Sequence, residues 1–228
     1  MREPTHCLPA AYRLFYDSLG RIEEDGGLTE IATAIAMHYQ QDVRSEDVLT
    51  ELDQIADVVR RRVHNDNPRA FVAHLHQHMF DELGFRGNES EYYDPRNSFL
   101  PSVLRSRRGI PITLSLVYKL VAERVGIAVH GLNVPGHFLV ETRAGDESMI
   151  VDPFHGGTML TLDEARDRVR QMTGQQPVSP TTFMQPTTHR QWIARILANL
   201  LHVFSMQSHV EHIGAMSELY DLLKGVHP

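Results

Sequence analysis

The amino-acid sequence predicts an α+β fold, with a small antiparallel sheet beside a buried helix and further helices at both ends. Apolar residues recur at helical spacing through about the first ninety residues, alternate as in strands near residues 127–153, and return to helical spacing in the tail. With 228 residues, of which 42% are hydrophobic and 22% charged, the chain can bury a substantial core. We therefore expect one compact unit or two small ones.

Composition excludes several classes of protein. The net charge is −7, and no run of basic residues marks a surface for nucleic acid or anionic membranes. Cys7 is the single cysteine, which excludes an internal disulfide and a multi-cysteine zinc site. No apolar segment approaches the roughly 20 residues that span a bilayer, and no signal-peptide core is present. We expect a soluble, cytoplasmic protein that binds neither nucleic acid nor membrane.

Residues 1–95 are predicted to form an N-terminal helical region. Apolar stripes at helical spacing run through residues 28–40, 45–63 and 68–83, and Ser45 is the expected N-cap of the second helix. The polar, turn-rich stretch "NESEYYDPR" follows and predicts a boundary near residue 95.

Residues 96–175 are predicted to form the α+β core. Its first main element is a helix over "GIPITLSLVYKLVAERVG", with Pro111 near the start and Gly126 as the stop. This helix is apolar over most of its circumference, so we expect it to be largely buried, with a Lys119/Glu123 pair on its solvent side.

Three short strands are expected next, near residues 127–134, 137–143 and 148–153. Gly131 interrupts the alternation of the first strand, as a bulge would require. The sequence "TLDE" has the form of a capping box and predicts a helix from about 162 to 172.

Residues 176–228 are predicted to form a linker followed by two antiparallel helices. The linker is the proline-containing stretch "GQQPVSPTTFMQPTT", which starts just before this region. The apolar stripes of the helices are too long to remain in water, so we expect them to pack on the rest of the chain. The stripes comprise Ile193, Leu197, Leu200, Leu201 and Phe204 in the first helix, and Val210, Ile213, Met216, Leu219 and Leu223 in the second.

His137 and Asp152 flank the predicted hairpin turn. Their positions average 144.5, so a turn centred between Ala144 and Gly145 places them opposite each other or one diagonal step apart, within hydrogen-bond reach. A carboxylate that binds one imidazole nitrogen leaves the other nitrogen as a base, as in catalytic triads. The alternative interpretation is a structural hydrogen bond at the edge of the sheet.

Three ordered blocks resemble one protein family. "RRGIPITLSLVYKLVAERVGI", "VPGHFLVE" and "IVDPFHGG" are similar to the transglutaminase-like core of SirB-type bacterial proteins, and "RILANLLHVF" with the following helix is similar to their tetratricopeptide-like extension. The resemblance covers roughly residues 35–228. It implies a papain/transglutaminase-like core, in which a buried helix packs on a small antiparallel sheet.

The resemblance also assigns roles to residues. Catalytic members carry a cysteine at the start of the buried helix, then a histidine and an aspartate on two strands, and His137 and Asp152 match the last two. The cysteine position falls near Pro111, which has no side-chain nucleophile and no N–H. Thr113 and Ser115 lie within one turn and are candidate hydroxyl nucleophiles, although such hydroxyls commonly bond to the backbone.

The histidine-rich stretch "HLHQHMF" does not predict a metal site. His74 and His78 share a helix face, but zinc needs at least a third ligand and no spacing supplies one. We assign His64, His202, His209 and His212 to solvated helix faces. No cofactor is predicted.

Two functions remain open from the sequence. The first is a non-catalytic transglutaminase-like protein that acts as a protein-binding or regulatory module, with its partner bound through the C-terminal helices. The second is a hydrolase or acyl transferase that uses His137 and Asp152 with a non-cysteine nucleophile or activated water. The two functions can be distinguished by the identity of the residue that faces the free nitrogen of His137.

Overall fold

Helices form the first part of the chain, as the apolar spacing predicts. The computed structural model describes residues 3–64, 67–174 and 179–225. Ser45 is the first residue of its helix and Arg44 is the N-cap, so the predicted capping role of Ser45 is wrong. The helices here are α1 (Pro9–Ser18), α2 (Asp25–Met37), α3 (Ser45–Arg62) and α4 (Pro68–His76), and a π-helical turn (Gln77–Glu82) continues α4.

A pair of two-residue strands connects this helical region to the core, and the sequence did not predict it. Strand β1 (Arg86–Gly87) pairs in parallel with β2 (Arg108–Gly109). Between them the chain forms a 3₁₀ turn (Pro95–Ser98) and helix α5 (Leu100–Ser106). The polar stretch at 88–96 therefore lies between two strand partners.

Helix α6 (Pro111–Arg124) is buried, as its apolar circumference predicts. Every residue from Pro111 to Ala122 is buried. The expected solvent-side position of Lys119 is wrong: its residue is 4% exposed, and Nζ donates to the carbonyl of Val129 at 3.1 Å and to the Glu123 carboxylate. The ammonium thus satisfies a strand carbonyl within the packed interface.

The main sheet is antiparallel and contains the three predicted strands with two further short ones. Its order is β6-β5-β4-β3-β7. Gly131 pairs in regular register with strands on both sides, so the predicted bulge is wrong. The strands are β3 (Ala128–Leu132), β4 (Leu139–Ala144), β5 (Glu147–Asp152), β6 (Thr158–Leu160) and β7 (Pro186–Thr187).

The hairpin turn lies one residue later than predicted. Ala144 pairs with Glu147, which centres the turn between Gly145 and Asp146. With this register Asp152 lies opposite Leu139, and His137 is one diagonal step away, just before β4 begins. The predicted proximity therefore holds although the predicted centre of the turn does not.

The capping box predicts the next helix correctly. The Thr161 hydroxyl accepts from the N–H of Glu164, whose carboxylate accepts from the N–H of Thr161. The predicted linker contains a short helix and β7, while its residues 175–178 lie outside the described part of the chain. The helices of this part are α7 (Leu162–Thr173), α8 (Pro180–Phe183), α9 (His189–Met206) and α10 (Val210–Lys224).

The two faces of the sheet pack against different layers. Val140 and Val151 belong to a large buried cluster with α6 and the flanking helices, whereas Leu139 and Ile150 face a smaller cluster with α7. The large cluster also includes Leu200 of α9, which is fully buried, so the predicted packing of the tail on the body is confirmed. The predicted boundaries near residues 95 and 175 stay a prediction.

None of the helices in the described ranges combines the length and the apolarity needed to cross a membrane.

Candidate functional site

His137 and Asp152 form a buried hydrogen-bonded pair. Asp152 is the last residue of β5, and His137 lies in the turn that precedes β4. His137 Nε2 is 2.9 Å from Asp152 Oδ2, and the two residues are 1% and 0% exposed. The hydrogen bond predicted from the hairpin is therefore present, within a water-excluded environment.

The carboxylate of Asp152 also binds groups that the sequence analysis did not select. Oδ2 lies 2.8 Å from His155 Nδ1 and 2.8 Å from Arg168 Nη1. Oδ1 accepts the backbone N–H groups of Phe154 and His155, which fixes the 3₁₀ turn Pro153–His155. One carboxylate thus joins β5, the turn after it, the His137 loop and α7.

These contacts keep Asp152 ionised. Burial of the carboxyl opposes ionisation, but the hydrogen bonds from His137 and His155 outweigh it and hold the pKa of Asp152 well below its usual range. The Arg168 guanidinium adds a permanent positive charge at the same oxygen. Asp152 is therefore an ionised hydrogen-bond acceptor at the centre of this network.

The second nitrogen of His137 has no protein hydrogen bond. Nδ1 is buried, and no described residue places a donor or acceptor within reach of it. Because Asp152 occupies Nε2, a catalytic base at this position would act through Nδ1. The ring is held edge-on to Phe154, with ring centroids 5.9 Å apart.

Neither candidate hydroxyl forms a hydrogen bond with His137. Thr113 and Ser115 are both fully buried in α6. The Ser115 hydroxyl donates to the carbonyl oxygen of Phe138 at 3.4 Å, whereas the Thr113 hydroxyl has no partner among the described residues. The beginning of α6 therefore lies beside the His137 loop without presenting a nucleophile to the imidazole.

Pro111, near which the resemblance places a catalytic thiol, is the first residue of α6. The single cysteine, Cys7, lies elsewhere and is buried. Cys7 is 4% exposed, and its N–H donates to Glu218. Burial, with the Glu218 charge, raises the pKa of Cys7 to about 12, so the unreactive thiol form prevails.

Three potential metal ligands converge at this network, although the sequence predicted no metal site. The ligand atoms of His137, Asp152 and His155 all lie within 4.8 Å of one another. The Arg168 guanidinium donates to the Asp152 oxygen that both imidazoles contact, so a positive charge already occupies the coordination direction of that oxygen. This arrangement favours a hydrogen-bonded network over a cation site.

Several other histidines have structural contacts. His76 Nε2 is 2.9 Å from the Tyr118 hydroxyl, and burial lowers the pKa of His76 to about 4. His78 pairs with Glu82, with Nδ1 2.7 Å from the carboxylate. His212 lies 3.0 Å from His38, so its assignment to a solvated helix face is wrong. None of these groups contacts the Asp152 network.

His155 and Arg168 are the functional-site residues that the sequence analysis missed. His155 had a detectable signal, because an aspartate followed by proline forms a local turn that brings the residue three positions on back to the carboxylate. Arg168 had none, since its contact depends on how α7 docks onto the sheet. Capping signals locate a helix but not its neighbours.

Comparison with known proteins agrees with this architecture. Residues 46–198 match the model of the transglutaminase-like superfamily. The chain is 41% identical over 137 residues to a UPF0162 protein of Xylella fastidiosa (strain 9a5c), an alignment that covers 59% of this chain and 49% of the relative. It is 27% identical over 186 residues to a UPF0162 protein of Pseudomonas aeruginosa, which covers 80% of this chain and 67% of that protein.

A eukaryotic protein also matches part of the chain. The human protein named F-box only protein 21 is 28% identical over 152 residues, which are 54% of this chain and 24% of that protein. The chain thus spans about half the length of the Xylella relative and a smaller part of the human one. No solved structure matches the chain significantly. Since the superfamily model covers well over half of its residues, the chain belongs to the transglutaminase-like superfamily.

Proposed function

We propose that this chain is a non-catalytic transglutaminase-like module that binds another protein. The observation that carries the proposal is the use of the Asp152 carboxylate. Three side chains and two backbone N–H groups already bind it in a fully buried position. A carboxylate with this many structural partners supports a role in holding the sheet, the turn and α7 together.

The surroundings of His137 support the same role. The histidine is 1% exposed, and Pro111 takes the place that the superfamily's catalytic cysteine would occupy. The Ser115 hydroxyl donates to the backbone carbonyl of Phe138, so it already has a structural partner. Hydroxyls are weak nucleophiles unless a base lies directly beside them.

The proposed binding surface combines exposed tyrosines with the end of α9. We define this tyrosine surface as Tyr39, Tyr92 and Tyr93, which are 37%, 38% and 52% exposed and line one depression of about 760 Å³ with Gln207. Gln207 Nε2 donates to the carbonyl of Tyr93 at 3.2 Å. Tyrosine is enriched at protein interfaces because its ring buries apolar area while its hydroxyl can still bond.

The C-terminal helices contribute through their connecting turn. Their predicted apolar stripes mostly pack inward, so they offer no continuous groove to a partner. Met206 and Val210 flank the turn between α9 and α10 and are 57% and 74% exposed. We also propose that the chain is a SirB-type protein and that this helical hairpin is a tetratricopeptide-like unit.

Affinity capture with point variants tests the binding role. The full chain and its Met206→Ser variant would be compared as baits in extracts of the native cells, followed by mass spectrometry. Met159→Ser is the matched control, because Met159 is similarly exposed at 50% but lies on β6. We expect a protein that wild type and Met159→Ser retain and Met206→Ser loses. Identical recoveries with all three baits would reject this surface.

A catalytic function is the second candidate, and one observation favours it. Among the described residues the buried Nδ1 of His137 has no hydrogen-bond partner, as a general base would before its substrate or a water molecule binds. This alternative predicts covalent labelling by a hydroxyl-directed acylating probe in a reaction that requires His137.

A further inference from the structure

Two arginines lie side by side on the short parallel sheet. Arg86 of β1 pairs with Arg108 of β2 in direct register. Paired residues of neighbouring strands extend to the same face, so the two guanidinium groups leave the sheet on one side. Both line a cavity of about 610 Å³.

No carboxylate neutralises this pair of charges. Within residues 3–64, 67–174 and 179–225, no acidic side chain lies within ion-pairing distance of either guanidinium. Glu89 also lines the cavity but is exposed, and its carboxylate contacts neither arginine. Burial and the charge of Arg86 both lower the pKa of Arg108. Two like charges in adjacent positions thus remain without an internal counter-charge.

The Arg108 side chain is fixed in place. Its Nη1 donates to the carbonyl of Gly84 at 2.8 Å and to that of Arg107 at 3.0 Å. The described structure gives no partner to its other N–H groups, which leaves donors available toward the cavity. Ordering before binding reduces the entropy that a ligand must overcome.

The rest of the cavity wall is also ordered. Asn88 donates through Nδ2 to Asn97 Oδ1 at 3.0 Å, and its own Oδ1 accepts from the Ser90 hydroxyl. Phe154 forms an apolar wall, with its ring against the backbone of Gly87. Cationic, polar and apolar groups therefore face one concave space, whose volume lies within the range of small-molecule sites.

We propose that Arg86 and Arg108 form a binding site for a small organic anion, with its carboxylate or phosphate group held between the two guanidinium groups. The planar guanidinium matches the geometry of both oxyanions and can bind either through two parallel hydrogen bonds. The site adjoins the tyrosine surface, since Ser90 lines both depressions, and it does not require the chain to be catalytic. Phe154 and Ser90 would contact the organic part of the ligand.

Anion titrations at constant ionic strength test the site. Inorganic phosphate and glutarate represent the two oxyanion classes, and chloride is the reference salt. The readouts are the thermal unfolding temperature and the NMR signals of the Gly87 and Gly109 amides in the full chain. We expect a saturable response to at least one oxyanion, and the stronger response identifies phosphate or carboxylate as the recognised group.

Variants separate the site from general salt effects. Arg86→Gln and Arg108→Gln should each weaken the response at least tenfold. Arg13→Gln removes the same charge from an exposed position on α1 and should respond as wild type does. The absence of a saturable response to either anion in wild type, or an undiminished response in both cavity variants, would overturn the proposal. The wild-type titration decides even if a variant folds poorly.

Discussion

The Asp152 network and the Arg86/Arg108 pair both adjoin the turn Pro153–His155, but only the Asp152 network contains charges of both signs. At Asp152 the protein supplies one anion together with His137, His155 and Arg168 as its partners, and the anion is fully buried. At the cavity the described residues supply two cations, and none of their carboxylates forms an ion pair with either arginine. The Asp152 charge is compensated by groups of the protein itself, whereas the arginine pair is compensated only when it binds an anion from solution. Asp152 and its partners therefore stabilise the structure, whereas Arg86 and Arg108 are available to a ligand.

Removing the central anion should have the largest effect. Asp152→Asn leaves the Arg168 guanidinium without its counter-charge in a buried network, and loss of one partner of such a network costs about 3–5 kcal/mol. Urea unfolding of the variant should show a loss of this size. Asp146→Asn, an exposed change in the same hairpin, should leave the free energy of unfolding within about 0.5 kcal/mol of wild type.

Acid should erase the same difference. The folded pKa of Asp152 lies below its unfolded value of about 3.9, so its contribution is present above about pH 4 and is lost as the pH falls toward the folded value. The gap in free energy of unfolding between wild type and Asp152→Asn should shrink as the pH falls below about 4. A gap that is unchanged at pH 2.5 would contradict the stabilising role of the ionised carboxylate.

A separate loss of stability should occur on milder acidification, before Asp152 is protonated. Burial lowers the folded pKa of His76 to about 4, so the unfolded chain takes up a proton first as the pH falls from about 6.5. This linkage destabilises the folded state by up to about 3 kcal/mol between pH 6.5 and 4. Wild type and Asp152→Asn share it, so it cancels in their difference. His76→Gln should flatten the stability profile over this interval.

Disturbing the contact between Gly87 and Phe154, which joins the cavity to the Asp152 turn, should cost less stability than removing the Asp152 charge. A Cβ on Gly87 would lie 2.5 Å from the Phe154 ring, which belongs to the turn that Asp152 fixes. Gly87→Ala should therefore destabilise the fold by about 1–3 kcal/mol, as overpacking usually does. Gly20→Ala is the control, because its Cβ would meet no atom within 4 Å. Equal unfolding midpoints for the two variants would show that the Phe154 ring can move away from residue 87 at little cost.

The cavity arginine should have the smallest effect on stability. Arg86→Gln removes a charge that repels Arg108 and breaks no ion pair in the described structure, so the free energy of unfolding should change by less than about 0.5 kcal/mol or rise slightly. Calorimetry in chloride buffer measures this change. A loss above 1 kcal/mol would mean that Arg86 is structural, which would remove the contrast with Asp152.

The sequence predicts the elements of this fold better than the contacts between them. Helix α6 was identified as buried because its apolar residues surround the axis, and the His137–Asp152 bond followed from the spacing of one hairpin. Gly131 was misinterpreted for a tertiary reason: a Cβ there would lie 2.6 Å from Trp192 of α9, so close packing requires glycine in a regular strand. Nothing within the local sequence reveals that neighbour.

The cavity could not be predicted from the sequence. Arg86 and Arg108 are separated by 22 positions, and their strands are two residues long, too short for a periodic signal. Arg168 reaches Asp152 only because α7 docks on that face of the sheet. Sites assembled from single residues of distant elements carry no local pattern, whereas hairpin pairs do.

The central claim is that the His137–Asp152 pair stabilises the fold and does not activate a nucleophile. Its most direct test is intact-mass analysis after incubation with a hydroxyl-directed and a thiol-directed acylating probe, comparing wild type with His137→Ala, Ser115→Ala, Thr113→Ala and Cys7→Ala. We predict no adduct that depends on His137, and at most slow labelling of the buried Cys7. An adduct on Ser115 or Thr113 that disappears in folded His137→Ala would contradict the claim and establish a serine- or threonine-type enzyme.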